Sequence, residues 1–596
     1  MLFYFLPLPG FRNLHSCLHS LMRNILLCLL LLNSFSSYSQ QHITQFELSG
    51  GKESPTYGNV IKWWKALDKA SPIVQMKEMG PTDAGYPLHL ILVSTEKTFD
   101  VKAIKAAKKN IIFINNGIHP GEPDGIDASM LLVRDIVQNK YKLPSSVVLA
   151  IIPVYNIGGA LNRSSNYRID QDGPVEKGFR GNAQNLDLNR DFIKMDSKNA
   201  MSFAKIFTML DPDVFVDNHV SNGADYQHVM TLLVSQHNKL GGVMGEFMNK
   251  TFEPGLYPLM KEKGFDLVPY VNHFGETPDS GWPEFYDSPR YGSGYGTLKN
   301  TFSFVPETHM LKQYKQRVAA TKALMESFIE FTSTHGKEII ALREQTAKTQ
   351  SLQASLPLAW KWDRTKSTEI SFKGFEAGRK NSEVSGLPRL YYDRNKPFEK
   401  KIPFYNTYTD TLSVDKPLAY VIPQGWWKVV ERLEANGIQM QRLKSDTIIE
   451  VEAYRIESYQ SGARPYEGHH INRDVRVSKA NKQVKFRKGD YYIPTNQKGV
   501  RFLIEVLEPQ GEDSYFAWNF FDPILGQKEG FSAYVFEQTA AEFLKANPQL
   551  RQKLEERKKT DEAFAKNAAA QLDFVYRNSP YYEPNHNQYP VYRLVR

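Results

Sequence analysis

His119 and Glu122 stand three residues apart in IIFINNGIHPGE (111–122). An imidazole and a carboxylate at that spacing can face one cation. Zinc accepts nitrogen and oxygen donors, and its catalytic sites usually combine three protein ligands with a water. A His-x-x-Glu pair alone is a weak signal, and His273-Phe-Gly-Glu276 repeats the pattern in this same chain. Context separates the two. The first pair follows four consecutive apolar residues, Ile111 to Ile114, of the kind that makes a buried strand. It precedes DGIDASMLLVRDIVQ (124–138), whose apolar residues recur at helical spacing with Asp124 placed as an N-cap. The second pair lies between prolines. A strand that ends, presents a His and a carboxylate, and turns into a helix is where α/β proteins collect ligands.

The rest of the chain supplies the complement. His219 closes the strand-like run DVFVDNHV (213–220) and is the natural third ligand, with Asp217 two residues back on the same strand face. Glu307 closes NTFSFVPETH (300–309). Arg180 in FRGNAQ and Asn189 with Arg190 in NLDLNRDF occupy the long polar segment 157–192. A carboxylate near a metal-bound water can take its proton and return it to a leaving group. One guanidinium can stabilise a developing oxyanion, and another can grip a carboxylate through two parallel hydrogen bonds.

These residues need a scaffold that brings several strand ends to one rim. Helical spacing recurs at 56–67, 197–210, 238–263 and 311–333, and short apolar runs rich in β-branched residues at 89–94, 111–114 and 147–156. Strand and helix alternate, so residues 41–335 are expected to form a mostly parallel, mixed central sheet flanked by helices on both faces. KTQSLQASLPLAW (348–360) reads as a boundary. Residues 355–596 then read as a separate mixed α/β domain, with strands at 419–423, 447–456 and 501–507, a helix at 424–436, and helical, charged sequence from 536 to 574. In that half, His469-His470 and the aromatic run Tyr515 to Phe521 read as packing and surface.

The two cysteines, Cys17 and Cys28, both lie in the N-terminal segment. Met22-Arg23-Asn24 leads into ILLCLLLL (25–32) and then small and polar residues. This is the pattern of a secretory signal peptide spanning residues 1–39, with Met22 as an alternative start and Ser39 as the last residue removed. The exported chain is then free of thiols, so its metal site must use His and carboxylate. The net charge of +9 is spread among acidic residues without a basic block, which argues against nucleic-acid binding. The mature sequence contains no stretch suited to a membrane span.

HPGE (119–122), NLDLNRDF (185–192), DNHVSNG (217–223) and FVPETH (304–309), in this order, resemble the zinc carboxypeptidases of the carboxypeptidase A type over residues 41–335. The resemblance implies a central mixed sheet of about eight strands, one zinc ion, and water-promoted hydrolysis of an amide bond near a free carboxylate. It implies that His119, Glu122 and His219 bind zinc and that Glu307 is general base and acid. Arg180 would polarise the carbonyl, and Asn189 with Arg190 would hold the terminal carboxylate. The substrate expected is a peptide with a free C-terminus, derived from protein or from cell wall. Tyr286, Tyr291 and Tyr295 are the candidates for a substrate-contacting tyrosine. Pro306 and His309, either side of Glu307, depart from the digestive members. Two other readings share the metal pattern: a zinc deacylase acting on N-acyl amino acids, and a binding protein that kept the fold without the chemistry.

Overall fold

The computed structural model describes residues 42–595, together with Met1, Leu2 and Met22. The apolar run at 25–32 and the expected cleavage point after Ser39 lie outside the described residues.

Nine strands form the main sheet: β1 (Val74–Pro81), β2 (Pro87–Val93), β3 (Asn110–Asn115), β4 (Val147–Ile152), β5 (Val214–Asp217), β6 (His219–Ser221), β7 (Met230–Val234), β8 (Leu267–Pro269) and β9 (Phe302–His309). Their spatial order is β1-β2-β4-β3-β5-β9-β7-β8, with the short β6 beside β9. The central strands β4, β3, β5 and β9 are parallel. β1 and β2 add antiparallel at one side, and β7 is antiparallel to β9. Every residue of β3, β4 and β5 is buried. Their unbroken apolar runs follow from helices covering both faces. Ile112 and Ile114 point to one side, where α1 (Tyr57–Ala70), α2 (Asp124–Val137) and α5 (Tyr314–Leu352) pack. Ile111 and Phe113 point to the other, against α3 (Lys198–Leu210) and α4 (Gly292–Leu298).

Local expectations fail in four places. Asp124 is not the N-cap of α2; Pro123 holds that position and makes no side-chain cap bond. The Asp124 carboxylate is instead drawn to the buried Arg317 guanidinium at 2.9 Å and to the Thr308 hydroxyl, a charge-assisted partner stronger than an orphan helix amide. The run 213–220 is broken at Asn218, which divides β5 from β6. The helix expected at 311–333 continues to Leu352, past the 335 bound of the first domain, and the next strand begins at Ser355. RFLIEVL (501–507), expected as a strand, is the helix α7 once α6 (Trp427–Ala435) has been passed; α7 runs Val500–Leu507 and is buried at every residue. A short apolar run looks the same in a buried helix as in a buried strand.

The C-terminal part carries a long antiparallel hairpin, β10 (Thr368–Asn381) with β11 (Pro388–Tyr405). It also carries a six-stranded antiparallel sheet whose longest members are β12 (Thr447–Ser461) and β13 (Asn472–Phe486). This domain is not independent of the first. One apolar cluster runs from Phe203 and Phe207 of α3 through Val430 and Leu433 of α6 to Phe502 and Leu503 of α7. Polar contacts pin the seam: Arg432 Nη2 donates to the Met195 carbonyl at 3.1 Å, and the Tyr295 hydroxyl donates to Asn436 at 2.7 Å. Among the described residues no helix is long and apolar enough to cross a membrane.

Candidate metal centre and cleft

Three neighbouring parallel strands, β3, β5 and β9, deliver the site. Past Asn115 the chain turns at Gly117, whose φ of +65° suits glycine, and places His119 and Glu122 above the sheet. Gly121 between them has a second reason to lack a side chain. A Cβ there would lie 2.7 Å from the Gly178 carbonyl oxygen and 2.6 Å from Arg168 Cδ, so glycine lets the Arg168 side chain cross the turn. Past Asn218 the chain resumes as β6, whose first residue is His219, and Glu307 of β9 pairs in register with it.

His119, Glu122 and His219 are buried, and each offers a ligand atom within 4.8 Å of the others. Both imidazoles turn Nδ1 toward Glu122, at 3.2 Å from Oε1 for His119 and 3.1 Å from Oε2 for His219. Their opposite nitrogens are held by carboxylates: His119 Nε2 lies 2.9 Å from Asp187 Oδ1, and His219 Nε2 lies 3.3 Å from Asp217 Oδ2. Asp217 is itself fixed by Asn115 Nδ2 at 3.0 Å. Buried His119 Nδ1 has no hydrogen-bond partner. Two imidazoles and a carboxylate facing one point, the orphaned His119 Nδ1, and carboxylates beside the far sides of both rings together fit a zinc ion.

Electrostatics bind the cluster. Burial works to raise the Glu122 carboxyl, but Arg168 first and then the two imidazoles outweigh it and hold it well below the ordinary range. Arg168 Nη1 donates to Glu122 Oε1 at 2.7 Å, and the Val220 amide donates to Oε2 at 2.8 Å. Burial works to lower His219, but Asp217 and Glu122 push it well above an ordinary imidazole. Asp187 is half-buried, and desolvation works to raise it, yet His119, Arg180 and Arg190 hold its carboxyl far down. Glu307 behaves differently. Burial pushes it up to about 8, with His219 opposing and Glu122 reinforcing the rise.

The cluster opens on a cleft of about 330 Å³ that Arg180, Asn189, Arg190 and Glu307 also line. All seven residues singled out in the sequence therefore meet at one cavity. Arg180 Nε donates to Asp187 Oδ2 at 3.0 Å, and its Nη1 lies 3.6 Å from Glu122 Oε1. The Arg190 guanidinium stacks over the Tyr291 ring at 4.6 Å. Of the three candidate tyrosines, Tyr291 alone lines the cleft. Tyr286 packs against Tyr408 under Lys239, and Tyr295 is buried in the seam with the C-terminal domain. His273 and Glu276 lie on a loop where Glu276 is exposed, outside the metal cluster.

Two contributors escaped sequence reasoning. Arg168 sits in RSSNYRIDQDG, where no spacing relates it to Glu122 forty-six positions away. The second is the turn that carries His469, read from sequence as packing and surface. His469 Nε2 lies 2.7 Å from Asp196 Oδ2, and the neighbouring Tyr466 and Glu467 reach the segment that holds Asn189 and Arg190. Tyr515 to Phe521 is packing, as read; Tyr515, Phe516, Trp518 and Phe521 are fully buried.

Residues 60–219 match the profile of the family described as zinc carboxypeptidase. The protein named Carboxypeptidase 2 of Trichophyton rubrum is 22% identical over 431 residues, covering 69% of this chain and 74% of that protein. Its namesake in Trichophyton equinum is 22% identical over 425 residues, 68% of this chain and 72% of that protein. Among solved structures, carboxypeptidase A from Helicoverpa armigera is similar over 48% of this chain and 73% of its own, with TM-score 0.36 and 14% identity.

Proposed function

We propose that this chain, whose residues 60–219 match the zinc carboxypeptidase profile, is an exported zinc carboxypeptidase that removes residues from the free C-terminus of peptides. The observation that carries the reading is the meeting of the His119, Glu122 and His219 cluster with Glu307 and with Asn189, Arg190 and Arg180 in one cleft. Zinc, when bound, supplies a water of lowered pKa and polarises the scissile carbonyl.

The chain's own residues supply the rest. Arg190 and Asn189 grip the terminal carboxylate, and a guanidinium suits that task better than an ammonium because it can make two parallel bonds. Arg180, which lines the same cleft, receives the negative charge developing on the carbonyl oxygen. Glu307 takes the proton of the attacking water and passes it to the leaving nitrogen. Asp187 bonds the far side of the His119 ring and Asp217 lies beside that of His219, so that the Nδ1 atoms of both would be free to hold the ion.

The test is direct. The zinc-loaded chain is incubated with a peptide mixture and, separately, with N-acyl amino acids, and released amino acids are measured. Release from peptide C-termini supports the reading. Release from the acylated amino acids alone makes the protein a deacylase, and release from neither makes it a binding protein. Export rests on residues 22–39 and is tested by the N-terminal sequence of the secreted chain, expected to begin at Gln40.

A further inference from the structure

We infer that the turn Tyr466–His469 of the C-terminal domain is part of the substrate site, with Tyr466 the positioning residue that orients Arg190. This rests on the carboxypeptidase reading, in which Arg190 grips the substrate carboxylate. The turn lies in the loop joining β12 to β13 and reaches back across the seam. The Tyr466 hydroxyl accepts from Arg190 Nε at 2.9 Å. Arg190 Nη1 donates to the Asn189 carbonyl at 2.8 Å, and Tyr291 lies against the guanidinium. Three contacts thus fix the plane of the fork on a residue that lines the cleft. One residue on, Glu467 Oε2 accepts the Asp187 amide at 2.8 Å, which fastens the segment carrying both Asp187 and the Asn189-Arg190 pair.

The turn is built for this contact. Tyr466 and His469 exchange backbone hydrogen bonds, at 2.7 and 3.0 Å, around two central residues with φ of +50° at Glu467 and +82° at Gly468. Such turns favour Asn, Asp or Gly at both central positions. Glutamate at the first is held in a sparsely populated conformation, and unfavourable backbone of this kind concentrates at functional sites. Its one exceptional feature is a side chain that reaches Asp187. The flanks are braced: the Tyr466 ring stacks on Trp518 at 6.2 Å, and His469 is paired with Asp196 at 2.7 Å. The C-terminal domain therefore does more than cover an apolar face; it completes the clamp.

The experiment uses the full, zinc-loaded chain and an N-blocked dipeptide ending in phenylalanine, with calorimetric binding of free phenylalanine as a second readout. Loss of a hydrogen bond to a charged group is expected to raise KM about tenfold in Tyr466→Phe, with kcat changed far less and phenylalanine affinity falling in parallel. Glu467→Ala shifts KM the same way, and Glu467→Gln, whose amide oxygen can still accept, recovers most of the loss. In an Arg190→Ala background Tyr466→Phe has no further effect, because the partner it positions is gone. A wild-type chain that releases phenylalanine while Tyr466→Phe leaves KM unchanged, or a Tyr466→Phe effect undiminished without Arg190, overturns this inference and leaves the carboxypeptidase reading standing. A zinc-loaded wild-type chain that releases nothing overturns both.

Discussion

Glu307 stands opposite His219 in the parallel register between β9 and β6. A candidate proton carrier and a candidate metal ligand, eighty-eight positions apart, are therefore held side by side by backbone hydrogen bonds rather than by loops. Adjacent strands lie about 4.8 Å apart, so this pairing alone fixes their separation closely. It also makes Glu307 replaceable without disturbing the cluster.

Glu307→Gln is accordingly expected to retain zinc and fold while losing turnover by about a thousandfold, in the range for removal of a general acid–base group. Metal content by elemental analysis and peptide turnover, measured on the same preparation, check this. Turnover close to wild type would remove Glu307 from the mechanism.

Arg180 should matter to rate and Arg190 to binding. Arg180→Ala is expected to lower kcat by about a hundredfold or more, the usual cost of losing a transition-state donor. Arg190→Ala is expected to act chiefly on KM, with Arg190→Lys a poor substitute. Steady-state kinetics on one peptide decide the split, and equal effects on kcat from both would contradict the assigned roles.

The cleft that these arginines line also carries Leu233, Val305 and Phe285. Peptides ending in Phe or Leu are expected to be cleaved at least about tenfold more efficiently than those ending in Asp or Lys, since burying an unpaired charge against apolar walls is costly. Competition between such peptides measures the ratio, and a preference for charged ends would place the side chain elsewhere.

Asp124 and Arg317 form a fully buried pair beneath the site. Arg317 donates to the Asp172 carbonyl at 2.6 Å and the Gly173 carbonyl at 2.9 Å, while Asp124 lies two residues from Glu122 and bonds Thr308, next to Glu307. Removing one partner strands the other charge, so Asp124→Ala is expected to destabilise the chain by about 3–5 kcal/mol. Urea unfolding checks this; a loss below about 1 kcal/mol would mean the pair is relieved by water.

His228 ties the catalytic sheet to the β10–β11 hairpin. Its Nε2 accepts the Lys373 amide at 3.1 Å and its Nδ1 faces the Asp266 carbonyl at 3.2 Å, an arrangement that requires the neutral ring. Burial pushes its pKa down to about 4. The unfolded chain takes up this proton near pH 6.5 and the folded chain only near 4. The stability is therefore complete above pH 6.5 and drains away as pH falls toward 4, by about 1.4 kcal/mol per pH unit for one such group. His228→Gln should flatten the fall in urea midpoint between pH 7 and 5; an unaltered slope would show that other groups govern it.

Much of the site was legible because its residues sit at strand ends, where local sequence already sets their place. Ile111 to Ile114, buried on both faces, had to be a central strand, and the His and Glu just past it had to emerge at its carboxyl end. The same logic placed His219 and Glu307, and the neighbouring parallel strands then brought all of them to one rim. Tertiary structure decided what depends on contacts between distant segments. Arg168 reaches Glu122 only because Gly121 leaves room, Asp124 abandons its helix cap for Arg317, and Val500–Leu507 is helical because packing from every side, not periodicity, selects its form. The Tyr466–His469 turn is the clearest case. Nothing within the sequence of a hairpin connection states which surface it will meet, because that is set by how two domains share a core.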